Sequence, residues 1–361
     1  MQLQAFTPEQ LCAALPEVNL KEARRVVSTV HKDGVLTNRM GLRKTALLAL
    51  QQHTTQPQLQ LVDARQSGLD PFQKYVMQTG DGHLVETVRI PLEKQGRYSV
   101  CVSSQVGCAM ACAFCATGRL GLTRGLETWE IVEQVRVVRR SLAAGSRVHG
   151  VVFQGMGEPL ANLDRVLEAI AVLTHPCAAA IDTRNITVCT SGLPVGIRRL
   201  AREAPNVRLG LSLGSARRDV RRNLMPIEQA HALPDVMDAV VEHAKTTGLL
   251  PMWAVTLLRD VNDTPQDAAA LVALARSFQD TVGRPPRITL LAYNRTAPDG
   301  EDPFERSGDA ALDVFRDALA AAGIPFHRRY SGGSDVQAAC GQLAAQSAPT
   351  PAGDIRHAPA P

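Results

Sequence analysis

Apolar residues along this chain recur with two periods, and the places where one gives way to the other mark out its elements. Between Lys21 and Lys32 they fall at Ala23, Val26, Val27 and Val30, a helical stripe. Thr7-Pro8-Glu9 ahead of it has the form of an N-cap followed by proline at the first helical position. Residues 7 to about 53 are therefore expected to form a small basic helical module, an accessory domain over 1–55. From Thr54 to Pro71 the chain is glutamine-rich and broken by Pro57, Gly68 and Pro71, which reads as a linker, set at 56–78.

Farther on the pattern alternates. Short apolar runs predict strands at 84–90, 98–102, 150–154, 185–189, 207–212, 252–256 and 288–292. Helical periods fit between the later ones at roughly 127–144, 162–174, 194–203, 232–247 and 264–280, with another near 308–322. Alternation of this kind argues an α/β fold with a parallel sheet, doubly wound or a barrel, over 79–345. Both architectures gather functional groups at the carboxyl ends of strands. The tail, 346–361, carries Pro349, Pro351, Pro359 and Pro361 among alanines and is expected to be disordered.

Composition narrows the class. With 45% hydrophobic and 20% charged residues the chain reads as soluble and globular, and 4% aromatic residues predict an aliphatic core. No apolar run reaches the roughly 20 residues of a membrane-spanning helix, so no membrane partner is expected. The first residues lack the basic start and apolar stretch of a secretory signal, which favours a cytoplasmic location. Eight cysteines in that setting point to ligands, catalysts or small buried residues rather than a disulfide framework.

Three of them carry the chemistry. Cys108, Cys112 and Cys115, in the run Cys-Ala-Met-Ala-Cys-Ala-Phe-Cys, have the spacing C-x3-C-x2-C. A [4Fe–4S] cluster normally takes four thiolates, so three leave one iron open, where S-adenosylmethionine can chelate through its amino and carboxylate groups. A structural zinc site with a fourth ligand elsewhere is the bland alternative. Phe114, just before the last ligand, is of a type that covers an adenine, or else a core residue.

Other polar groups fall at predicted strand ends. Gly155-Met-Gly-Glu-Pro159 follows the strand ending at Gln154, and there Gly157 allows close approach of a ligand and Glu158 can accept a hydrogen bond from an ammonium. Thr190-Ser191-Gly192, Ser212-Leu213-Gly214 and Asn294 end later strands. Each taken alone is more often a turn or capping residue. Net charge is only +4, but arginines cluster at Arg136, Arg139, Arg140 and Arg147, at Arg217, Arg218, Arg221 and Arg222, and at Arg328 and Arg329. Such stretches neutralise phosphates or form solvated, ion-paired faces.

Taken in order, Cys101-Val-Ser-Ser-Gln-Val-Gly-Cys108, the three-cysteine motif, Gly-Met-Gly-Glu-Pro and Asp335-Val-Gln-Ala-Ala-Cys-Gly-Gln-Leu343 resemble the RlmN/Cfr family of radical SAM enzymes that methylate adenosine in RNA. The resemblance covers residues 79 to 344 and implies a partial (β/α)6 barrel with a small N-terminal helical domain. It implies a [4Fe–4S] cluster on Cys108, Cys112 and Cys115, with S-adenosylmethionine contacts at Gly157, Glu158, Ser191, Ser212, Leu213, Gly214 and Asn294. By the same likeness Cys340 carries the methyl group as S-methylcysteine, Cys101 closes a transient disulfide with Cys340, and Glu86 accepts a proton. Cys12, Cys177 and Cys189 have no motif around them and are expected to be structural. The implied partners are ribosomal RNA, with tRNA a further candidate, and a flavodoxin-type electron donor. The protein is expected to be a monomer, and C2 of the adenine is favoured over C8.

The chain departs from the family pattern at Gly214, where a histidine is usual, and around Trp253 and Ala254, where an acidic residue is common. Two readings stay open on the residues alone: a radical SAM enzyme of another reaction, with no need for Cys101 and Cys340 together, and a non-catalytic zinc or RNA-binding protein.

Overall fold

The predicted alternation is realised in a sheet of ten strands. A computed structural model describes residues 1–32, 36–37, 40–297 and 301–344. The strands are β1 (Gln60–Gln66), β2 (Gln73–Gln78), β3 (Leu84–Pro91), β4 (Arg97–Val102), β5 (Gln105–Gly107), β6 (Leu122–Gly125), β7 (Arg147–Phe153), β8 (Ile186–Thr190), β9 (Arg208–Ser212), β10 (Met252–Leu257), β11 (Arg287–Ala292) and β12 (Phe326–Arg329). All but the β5–β6 ribbon join one sheet, in the order β1-β2-β3-β4-β7-β8-β9-β10-β11-β12. From β1 to β4 neighbours are antiparallel; from β4 to β12 every pair is parallel.

Helices follow the parallel strands: α4 (Ala116–Arg119), α5 (Thr128–Arg140), α6 (Leu163–Thr174), α7 (Pro194–Glu203), α8 (Arg218–Leu224), α9 (Ile227–Ala230), α10 (Leu233–Thr247), α11 (Pro265–Val282) and α12 (Asp309–Ala321). Ahead of the sheet stand α1 (Pro8–Ala14), α2 (Leu20–His31) and α3 (Lys44–His53). The larger helices pack on the sheet through a core of Val, Leu, Ile and Ala. Its aromatic members include Trp253, fully buried and edge-on to Phe278 at 5.4 Å between ring centres. The N-terminal stripe behaves as its period requires: Ala23, Val26, Val27 and Val30 are buried in a second small core with Leu3, Leu11 and Leu50. Thr7 caps α1 and Asn19 caps α2, each in a reciprocal box with the residue three positions on.

Residues 56–78 are not a linker. They hold β1 and β2, which extend the sheet beyond β3. β1 lies at the edge and is mostly exposed, so it needs no apolar alternation, and its glutamines and charges hide it from a reading of periodicity. The expected disordered tail at 346–361 lies outside the described residues.

The sheet must curl. Arg329, at the end of β12, donates from Nη1 to Gln154 Oε1, just past β7, at 3.0 Å. In a flat sheet five strand spacings would part these strands by roughly 24 Å, farther than the two side chains can span. Asp70 and Ser67, in the β1–β2 turn at one sheet edge, likewise bond Gly333 and Asp335, beyond β12 at the other. The parallel strands thus form a partial barrel whose carboxyl ends face one mouth.

Candidate active site

The cysteine loop leaves the sheet at the carboxyl end of β4 by way of β5. Gly107 has φ +77°, and a Cβ there would lie 1.9 Å from the Gly121 carbonyl oxygen, which instead accepts from Cys108 N at 2.7 Å. Only glycine allows β5 and β6 to meet so closely and turn the chain into the loop. Cys108, Cys112 and Cys115 then line one cavity at the barrel mouth, with Phe114 beside them. Burial pushes the Cys108 thiol up to about 11 and raises Cys112 further.

Facing them are Gly157, Glu158, Ser191, Ser212 and Gly214, brought by the ends of three strands. Glu158 is buried, and burial raises its carboxyl above the usual range. Its Oε2 accepts from Ser191 N and Oγ at 2.8 and 2.9 Å, and its Oε1 from Leu160 N at 3.0 Å. The glycines of this motif, which line the cavity, are also required within the fold. A Cβ on Gly155 would sit 2.6 Å from Val102 O, and one on Gly157, at φ +99°, 2.5 Å from Gln105 Cβ. They allow the loop to approach its own neighbouring strands.

Two expected contacts lie elsewhere. Leu213 is wholly buried in the core, and its carbonyl accepts from Arg221 Nη1 at 2.6 Å. Asn294 points its amide at the C-terminal loop, donating to Ser331 Oγ at 3.1 Å and Cys340 O at 3.2 Å. A strand-end position alone does not say which way a side chain turns.

The C-terminal loop brings Cys340 to the border of this cavity and a second one. Cys340 N donates to Ser331 Oγ at 3.0 Å, and Gly341 O accepts from Ala116 N at 2.8 Å, directly after Cys115. Cys101, on β4, lines the second cavity with Cys340 and Arg329. Burial pushes its thiol up to about 12. Glu86 lines neither cavity. Its carboxylate pairs with Lys74 at 3.0 Å, both side chains being 4% exposed, and accepts from Ala344 N at 2.9 Å. Burial raises Glu86 against the opposing charge of Lys74.

Sequence reasoning missed three participants. Cys189, read as structural, lines the first cavity, and its thiol is pushed up to about 12 by burial. Lys74 carries no motif, though a lysine inside the apolar run of β2 is an unusual residue to bury. Arg221, grouped with surface arginines, is wholly buried; it pairs with Glu228 at 3.0 Å and donates to the Ser191 and Leu213 carbonyls, tying two strand ends together. Several clustered arginines are likewise engaged internally: Arg136 with Glu133 and Val30 O, Arg140 with Glu133, and Arg218 with Glu228.

Residues 102–261 match the family model described as the Radical SAM superfamily. A protein of Sorangium cellulosum, named as an RNA methyltransferase, is 57% identical over 98% of this chain and 94% of its own length. The dual-specificity RNA methyltransferase RlmN of Syntrophobacter fumaroxidans is 40% identical over 77% of this chain and 78% of its own. This chain belongs to the RlmN-like radical SAM RNA methyltransferases. A radical SAM methyltransferase of Sphaerobacter thermophilus has the same fold, with TM-score 0.85 and 34% identity over 96% of this chain and all of that one.

Members of the radical SAM superfamily use a [4Fe–4S] cluster and S-adenosylmethionine, and the residues here suit both. Among the described residues no three His, Cys, Asp or Glu side chains gather tightly enough to hold a single metal ion. The three loop thiols line a single cavity, an arrangement open to a cluster that presents separate iron corners. The same cavity holds a carboxylate, two hydroxyls and glycine backbone, donors and acceptors for an amino-acid head group. No helix among the described residues is long and apolar enough to cross a membrane.

Proposed function

We propose that this enzyme methylates an adenosine base of RNA, at C2 rather than C8, in large-subunit ribosomal RNA with tRNA as a second substrate. The observation that carries the reading is the pair of cysteines at one cavity: Cys101 and Cys340 line it together, and Cys340 also reaches the cavity of the cluster thiols. A radical SAM enzyme of another reaction has no need of that pair.

Cys108, Cys112 and Cys115 would hold the cluster, with Glu158, Ser191 and Ser212 placed toward S-adenosylmethionine. The bound cofactors supply a methyl group and a hydrogen-abstracting 5′-deoxyadenosyl radical. The chain's own residues do the rest. Cys340 carries the methyl carbon as a thioether, keeping it at the junction of the two cavities. Once that carbon is joined to the adenine, the Cys101 thiolate attacks the Cys340 sulfur. An S–S bond forms as the S–CH2 bond breaks, and the electron pair passes to the carbon, which takes a proton to become the new methyl group. The resulting disulfide is then reduced. Glu86 accepts the proton displaced from the adenine carbon, while the odd electron left on the base would pass to the iron–sulfur cluster as one-electron acceptor, and to accept that proton Glu86 must first release Ala344 N–H. Displacement of the C-terminal segment by RNA is therefore part of the proposal. An accessory helical unit over 1–55, a flavodoxin-type electron donor, a monomeric state and a cytoplasmic location complete it.

The decisive test is mass spectrometry of adenosines from ribosomal RNA and tRNA after expression in a host lacking its own such enzyme. Gain of 2-methyladenosine is the expected result, and 8-methyladenosine would move the site of attack. The Cys340→Ala variant must give neither; methylation by that variant would remove the carrier scheme. Cys101→Ala is expected to leave RNA covalently attached to protein, seen as a slow band on a denaturing gel.

A further inference from the structure

The cavity shared by Cys101 and Cys340 is also lined by Cys115, apolar groups, two amide or hydroxyl side chains and one ion. That ion is Arg329, the single charged side chain on the lining among the described residues. It comes from β12, and its guanidinium is held across the barrel mouth by Gln154 Oε1 at 3.0 Å, beyond the end of β7. A surface arginine would turn its head to water. Here the head is tethered to Gln154 instead, and Arg329 shares the cavity lining with Cys101 and Cys340. Cys101 is 8% exposed, so water supplies little of the solvation that a thiolate there requires.

We propose that Arg329 is a positioning residue for sulfur chemistry, a fixed cation that stabilises negative charge on Cys101 and Cys340 and so makes their disulfide easier to reduce. The inference rests on the reading that these two cysteines form a disulfide. In reduction, an external thiolate attacks one sulfur of the Cys101–Cys340 bond. A mixed disulfide forms, and the other protein sulfur leaves as a thiolate beside the guanidinium. A second thiol equivalent displaces the first, so two external thiols become one disulfide and two electrons reside on the protein sulfurs, which take protons from solvent. A cation at the leaving sulfur lowers the energy of the reduced state and raises the reduction potential, as for any disulfide whose reduced form is stabilised.

The test uses full-length holoenzyme, in which Cys115 is committed to the cluster, in a Cys189→Ser background, so that Cys101 and Cys340 are the free thiols left at the two cavities. It is equilibrated anaerobically with stepped glutathione buffers, and the Cys101–Cys340 disulfide is counted by differential alkylation and peptide mass spectrometry. Arg329→Gln is expected to shift the equilibrium about tenfold toward disulfide, about 30 mV more negative in potential. Arg329→Lys, which keeps the charge, should restore most of the shift. Should Arg329→Gln fold poorly, Gln154→Leu, which keeps the cation and removes its tether, should shift the same way by less. An equilibrium unchanged in folded Arg329→Gln, or moved as far by lysine as by glutamine, overturns the proposal. Absence of the disulfide from the parent protein in every buffer overturns the carrier reading itself, and the inference with it.

Discussion

At Gly214 the backbone sits at φ +70°, and a Cβ would lie 2.4 Å from the sulfur of Met225. The histidine usual in the family thus cannot be restored by itself. Gly214→His is expected to cost on the order of 1–3 kcal/mol through overpacking and a strained φ. Chemical denaturation would show it, and Met225→Ala in the same chain should recover part of the loss. Lys74 sets a second expectation. Removing one partner of a buried pair typically costs about 3–5 kcal/mol, because the remaining charge is left unpaired. Lys74→Met should therefore destabilise strongly, and pH gives the signature. Glu86 is already raised by burial, and without Lys74 it rises further. A carboxyl raised in the folded state contributes its stability below its unfolded value and loses it as pH rises through the folded one. The variant's deficit should widen from pH 5 to pH 8; a deficit independent of pH would show that Glu86 stays neutral or finds another partner.

Among the elements, most of those with an apolar period were legible, though β2, with the short apolar run Tyr75-Val-Met77, was read as linker all the same. The helices read at 194–203 and 232–247 appear as Pro194–Glu203 and Leu233–Thr247, because amphipathic stripes and prolines at the first turn mark such segments locally. β1 was invisible because an edge strand with most of its residues in water carries no burial pattern. α2 offers a direct check on local coding. Asn19 accepts from Glu22 N at 3.0 Å, and the Glu22 carboxylate accepts in return from Asn19 N at 3.1 Å while pairing with Arg43 at 2.8 Å. Asn19→Ala should cost about 1 kcal/mol. The loss should appear as faster amide exchange across the first turn of α2, with the barrel unchanged.

Over the whole molecule, the C-terminal loop is where distant parts of the chain converge. Asp335 accepts from Ser67 Oγ at 2.7 Å and Gly68 N at 2.8 Å, and Asp70 accepts from Gly333 N at 2.9 Å and Tyr330 OH at 2.7 Å. These bonds run from the β1–β2 turn to the segment that carries Cys340. Asp335→Ala should therefore loosen that segment, with amides 331–344 exchanging several-fold faster while the core strands keep their protection. Unchanged exchange there would mean that Ser331, Asn294 and Ala116 suffice to hold the loop.

The division between sequence and tertiary structure follows the range of the interactions. The three-cysteine loop, the Gly-Met-Gly-Glu-Pro turn and the alternation of strands and helices are local patterns, and the chain alone determined them. Which way Asn294 and Leu213 point, whether Cys189 is core or cavity wall, and whether an arginine pairs internally or meets solvent depend on residues far away in the chain. Curling the sheet is what brings β12 over β7, and with it the Arg329 guanidinium to Cys101 and Cys340. No spacing in the sequence records that approach, because it is set by the accumulated curvature of strands between them.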